Sequence, residues 1–141
     1  MRNITTKEEA ERLMKAGLKR ETSSMISWVS GLVTFRQNDS HLDKKGAEPV
    51  WNLSDLLYIL PEETTFPTED ENHETTGTLE ITCERNGEYR MWHVRYVDKR
   101  DYSEHKDEAM LFWRHELIEA LVDAVCWLSF TDKLDEKFLN R

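Results

Sequence analysis

Apolar positions near the C-terminus recur at helical spacing. Leu117, Ile118, Leu121, Ala124, Val125 and Leu128 share one face of the stretch Arg114 to Leu128, with Glu116, Glu119 and Asp123 on the other. The pattern predicts an amphipathic core helix over Arg114 to Leu128. At the other end of the chain, Thr6 and Glu9 have the spacing of a capping box, in which the hydroxyl accepts from a backbone N–H and the carboxylate reaches back to the cap. A first helix begins there, with a narrow stripe of Ala10, Leu13, Met14 and Leu18, and Gly17 is placed to end it. A third helical pattern lies within Pro49 to Pro61. Asn52 or Ser54 can cap it, Leu53, Leu56, Leu57 and Leu60 form its apolar face, and Pro61 stops it.

Strand-type residues occur between these helices. Met25 to Val29 and Leu32 to Arg36 flank Ser30-Gly31 and predict a hairpin. Gln37 to Glu48 is polar and reads as an exposed loop. Thr78 to Val97 is a second hairpin around Asn86-Gly87, for which a two-residue type I′ turn pairs Arg85 with Glu88, Cys83 with Arg90, Ile81 with Trp92 and Leu79 with Val94. One face then carries Leu79, Ile81, Cys83, Trp92, Val94 and Tyr96 and meets the core helix. The other carries Glu80, Glu84, Met91, His93 and Arg95. Asp98 to Asp107 is a charged connection, and Ala109 to Trp113 fits either a last strand or the first turn of the final helix. The resulting fold class is α+β: an antiparallel sheet of about four strands, in two hairpins, packed on a C-terminal helix with two shorter helices beside it.

Length and charge add to this outline. With 141 residues the chain has the size of one domain, spanning 1–141. Its start lacks an apolar leader and no later run is long enough to cross a membrane, so a soluble, cytoplasmic protein without a membrane partner is expected. The net charge of −9 is unevenly spread. Residues 1–48 carry nine Lys and Arg against seven Asp and Glu, whereas residues 49–77 carry seven acids and no base. Lys15, Lys19 and Arg20 are the nearest approach to a basic cluster, which argues against direct nucleic-acid binding. Within the acidic segment, Glu62 to Gly77 holds six carboxylates and reads as a mobile loop; it lacks the alternation of a calcium-binding EF-hand.

Candidate chemistry is sparse. His115-Glu116 resembles the opening of a zinc-protease HExxH motif, but Glu119 occupies the second histidine position. His115 with Glu119 and Asp123 is the one metal alternative on a helix, and a solvated helix face accounts for the spacing equally well. His41, His73, His93 and His105 show no ligand spacing, and no glycine-rich phosphate loop or GxSxG elbow is present. No catalytic, cofactor-binding or metal-binding residue is therefore assigned, and no cofactor is implied. Cys83 and Cys126 read as free, buried thiols. Among the five Trp, Trp92 and Trp127 belong to the core, while Trp28, Trp51 and Trp113 sit near element ends as possible anchors for a partner.

The order of TKEEAERLMKAGLKRETSSM, a hairpin, PVWNLSDLLYILP, a second hairpin and HELIEALVDAVCWL resembles a family of short, largely uncharacterised proteins of Bacteroides-type bacteria. These are often carried in phage-like or conjugative mobile elements. The resemblance implies an accessory gene product with a small α+β fold and implies no reaction. The expected function is a non-enzymatic protein-interaction module with a protein partner. An acidic decoy for a host nucleic-acid-binding protein and a small enzyme with an unrecognised site are the alternatives.

Overall fold

The computed structural model describes residues 1–67, 74–98 and 108–140. Among them are three α-helices, α1 (Lys7–Lys15), α2 (Leu53–Ile59) and α3 (Leu117–Phe130), and seven strands: β1 (Met25–Ser27), β2 (Val33–Phe35), β3 (Glu48–Val50), β4 (Glu63–Pro67), β5 (Glu74–Asn86), β6 (Tyr89–Asp98) and β7 (Glu108–Arg114). The fold is α+β, with the C-terminal helix packed on a sheet. The two expected hairpins do not share one sheet. β1 and β2 belong to a three-stranded sheet of order β2-β1-β3, and β5 and β6 to a four-stranded sheet of order β4-β5-β6-β7; all pairs are antiparallel.

Local chemistry accounts for the helix ends. The capping box of α1 is formed: Glu9 N–H donates to Thr6 Oγ1 at 3.2 Å, and Thr6 N–H donates to Glu9 Oε1 at 2.8 Å. Gly17, at φ +97°, closes the helix in a left-handed turn, where its N–H donates to Met14 O and Leu18 N–H donates to Leu13 O. Of the two candidate caps for α2, Asn52 is the one used, accepting from Asp55 N–H at 2.9 Å while Asp55 accepts from Asn52 N–H at 3.0 Å. Its buried face is Leu56, Ile59 and Leu60 with Leu53 half-buried; Leu57, expected inside, is exposed. Pro49 and Val50, which precede the cap, form β3 with Glu48.

The core helix starts later than its pattern implies. Arg114 ends β7, paired with Trp92, and the ambiguous stretch 109–113 is strand. Pairing with β6 holds the chain extended until His115, and the helix begins beyond Glu116. α3 is also more than amphipathic. Ten of its 14 residues are buried, because β6 and β7 cover one side while α1 and α2 cover the other. Asp123 is therefore part of a packed interface, not of a solvated face.

The β5–β6 hairpin keeps its expected faces but not its expected register. Cys83 pairs with Trp92, Ile81 with Val94 and Leu79 with Tyr96, two residues away from the partners predicted from an Asn86-Gly87 turn. Asn86 pairs with Tyr89, so the loop is Gly87-Glu88. Gly87 has φ +65° at the first central position and Glu88 has no positive φ, which is the type II′ pattern. A shift of two residues preserves side-chain parity, so the apolar face still meets α3.

Two expected loops contain ordered elements. Glu62 to Gly77 begins with β4 and ends with the start of β5, with Phe66 buried over Gly77; residues 68–73 lie outside the described residues, as does the charged connection 99–107. Gln37 to Glu48 carries a 3-10 turn over Asp39–Asp43 and buries Leu42 and Ala47 against Ile26 and Trp28 as a second, smaller core. The first hairpin turns through Val29-Ser30-Gly31, a three-residue loop with Gly31 at φ +87°. No helix among the described residues is long and apolar enough to cross a membrane.

Candidate functional site

Several concavities are lined by the described residues. The first is a groove of about 580 Å³ between α1 and the small sheet. Ala10 and Met14 of α1 form one wall, Val33 and Val50 the other, and Lys7, Glu11 and Glu48 stand along the rim. The sheet face beneath it follows from strand alternation. Ile26 and Thr34 are paired and turn with Trp28 toward the small core, where Trp28 Nε1 donates to Thr34 Oγ1 at 2.9 Å. Val33 and Phe35 therefore point to the opposite face. α1 packs over β3 and leaves the β2 side open. There Phe35 is 68 % exposed, while Leu32, of the same parity as Thr34, and Val29, beside Gly46, are 60 and 86 % exposed.

The edge of β2 is also open in its hydrogen bonding. Trp28 N–H donates to Leu32 O and Arg36 N–H donates to Ser24 O, so the N–H and C=O groups of Val33 and Phe35 point away from β1. Neither proline nor a charged side chain interrupts Val33–Phe35. β3 carries Pro49, and the edge strand β4 carries Glu63 and Pro67, the usual guards against strand addition.

The second concavity, about 440 Å³, lies at the turn end of the β5–β6 hairpin, bordered by Arg85, Glu88, Tyr89, Arg90, His115 and Glu116. The observed register sets Arg85 directly opposite Arg90. His115 Nδ1–H donates to the Arg90 carbonyl at 2.9 Å, and the Tyr89 ring meets the imidazole edge-on at 5.4 Å.

The metal alternative on α3 is not assembled by this geometry. Asp123 accepts from Arg12 Nη2 at 2.9 Å and from Arg114 Nε at 2.8 Å. Glu119 faces Arg2 at 3.3 Å and Arg114 at 3.9 Å, while His115 turns away to the hairpin. Among the described residues, no group of three or more His, Cys, Asp or Glu is placed to hold a metal ion. His73 and His105 lie outside the described residues.

These arginines knit the N-terminus to α3. Arg2 pairs with Glu9 and its N–H donates to Glu116 Oε2 at 2.9 Å. Burial pushes the Glu9 carboxyl up, but the Arg2 guanidinium and the Thr6 N–H outweigh it and hold it below its ordinary value. The Arg114 guanidinium is raised by its bond to Asp123. Burial also raises the Cys126 thiol, opposed by Arg12 and reinforced by Asp123, so it stays protonated beneath α1. Tyr96 is raised well above the ordinary phenol range by burial, and its O–H donates to the Pro61 carbonyl at 2.7 Å.

The tryptophans divide differently from their positions along the elements. Trp51 has no exposed surface, its Nε1 donating to Thr22 Oγ1 at 2.9 Å, so it is core and not an anchor. Trp28 is half-buried in the small core, and Trp113 remains 60 % exposed. The open edge at Val33 and Phe35 and the Arg85–Arg90 pair went unrecognised in the sequence. The first needs the strand order, and the second needs the register. Comparison with family models, curated proteins and solved structures yields no match to this chain.

Proposed function

We propose that the chain is a non-enzymatic protein-binding module, an accessory product of a mobile element, that receives an extended apolar segment of a partner protein along β2. The observation that carries this reading is Phe35, 68 % exposed on the groove face of an unguarded strand edge. Main-chain groups of Val33 and Phe35 supply hydrogen bonds for an added strand, and the groove beneath α1 receives one of its side chains. Apolar contact supplies affinity here, so the interaction tolerates physiological salt. An acidic decoy would lose its target steeply over the same range.

The test is capture from host lysate with full-length protein, wild type and Phe35→Asp, eluted in a salt gradient. One reproducible partner is expected, with affinity reduced roughly 30-fold in Phe35→Asp, the about 2 kcal/mol of an interface hot spot. A partner held equally by both proteins, or released by salt alone, would count against the reading.

A further inference from the structure

Independently of the groove, we propose that the basin at the turn of the β5–β6 hairpin binds a phosphate monoester, held by Arg85 and Arg90 with His115 as a third polar contact. Arg85 and Arg90 are directly opposed in the ladder, an arrangement of like charges that weakens a sheet when nothing lies between them. Neither guanidinium makes an ion pair or hydrogen bond among the described residues. The nearest strand carboxylates are on the other face: Glu84 lies 3.5 Å from His93, and Glu80 accepts from Arg95 at 2.7 Å. A phosphate dianion between the two planar forks removes the repulsion and uses the geometry in which arginine binds phosphate best.

The remaining wall narrows the ligand class. His115 commits Nδ1–H to the Arg90 carbonyl, which leaves Nε2 for a phosphate oxygen, as acceptor from a protonated oxygen or as donor from the charged ring. Tyr89, 48 % exposed, offers an apolar surface to the organic group of an ester. Glu88 and Glu116 border the same basin. A nucleic-acid backbone would bring several phosphates against these two carboxylates, whereas a monoester brings one.

The probe is phenyl phosphate, titrated into isotope-labelled full-length protein at ionic strength held constant with sodium chloride. Saturable amide shifts are expected at Gly87, Glu88, Tyr89, Arg90, His115 and Glu116. Arg85→Gln and Arg90→Gln should each weaken binding at least tenfold, and Lys45→Gln should leave it unchanged. Phenyl phosphate should also raise the melting temperature of the wild type, and Arg90→Gln without ligand should melt no lower than wild type, since repulsion has been removed. The proposal is overturned by shifts that fail to saturate, by shifts centred elsewhere, or by undiminished affinity in both arginine variants. Tighter binding of a single-stranded oligonucleotide at the same amides would likewise overturn it. The amide map uses the unaltered protein, so it decides the matter even if a variant misfolds.

Discussion

Trp51 and Gly77 illustrate how single residues act through neighbours far along the chain. Trp51 fills the space between the N-terminal segment and α2, with its backbone N–H donating to Thr5 Oγ1 at 3.1 Å and its ring N–H to Thr22. Trp51→Ala opens a cavity and strips Thr22 of its donor, so a loss of about 3–5 kcal/mol in urea unfolding is expected. Gly77 lies under the Phe66 ring, where an added Cβ would come within 2.4 Å of Phe66 Cε1 and 3.1 Å of Tyr96 Cβ. Gly77→Ala should therefore displace Phe66 and speed amide exchange in β4 while leaving α3 protected. An unchanged β4 would show that the ring is not what holds that strand. Neither role is visible in sequence: a tryptophan between Val50 and Asn52, or a glycine after five threonines and six acids, acquires its meaning from a partner chosen by the fold.

At the scale of elements, the caps of α1 and α2 follow local rules, whereas the start of α3 and the packing of all three helices do not. Thr6→Ala removes the α1 cap and should cost about 1 kcal/mol, measurable by thermal or urea unfolding. The Arg2–Glu9 contact predicts a pH dependence of definite sign. The Glu9 carboxyl is depressed in the folded chain, so its stabilisation is complete above the ordinary carboxylate range and is lost as pH falls through the lowered folded value. Arg2→Gln should flatten that part of the acid limb of a stability-versus-pH profile while costing stability near neutrality. Identical acid limbs in the two proteins would assign the clamp no such role. The capping box could be read from Thr6 and Glu9 alone because its atoms lie within one turn. The clamp joins residues 2, 9, 114, 119 and 123, and only the packing of α1 on α3 brings them together.

Considered whole, the molecule has two cores of unequal size. α3 lies at the centre of the large one, between the four-stranded sheet and the two shorter helices, whereas Ile26, Leu42, Ala47 and Trp28 make a small cluster under the three-stranded sheet. Fewer buried apolar contacts mean a lower opening free energy, so amides of β1 and β2 should exchange before those of α3 in native-state hydrogen exchange. Equal protection in both regions would show that the small sheet opens only with the rest. Such an opening would suit a surface that admits a partner strand. The sequence by itself determined what short-range chemistry decides: the cap of α1, the choice of Asn52 or Ser54 for that of α2, the parity of the β5–β6 faces and the α+β class with an apolar C-terminal helix. Tertiary structure alone decided the division of the hairpins between two sheets, the hairpin register, the burial of Trp51 and the pairing of Asp123 with Arg12 and Arg114. Those outcomes depend on which distant segments meet, and apolar periodicity records that a face must be covered without recording what covers it.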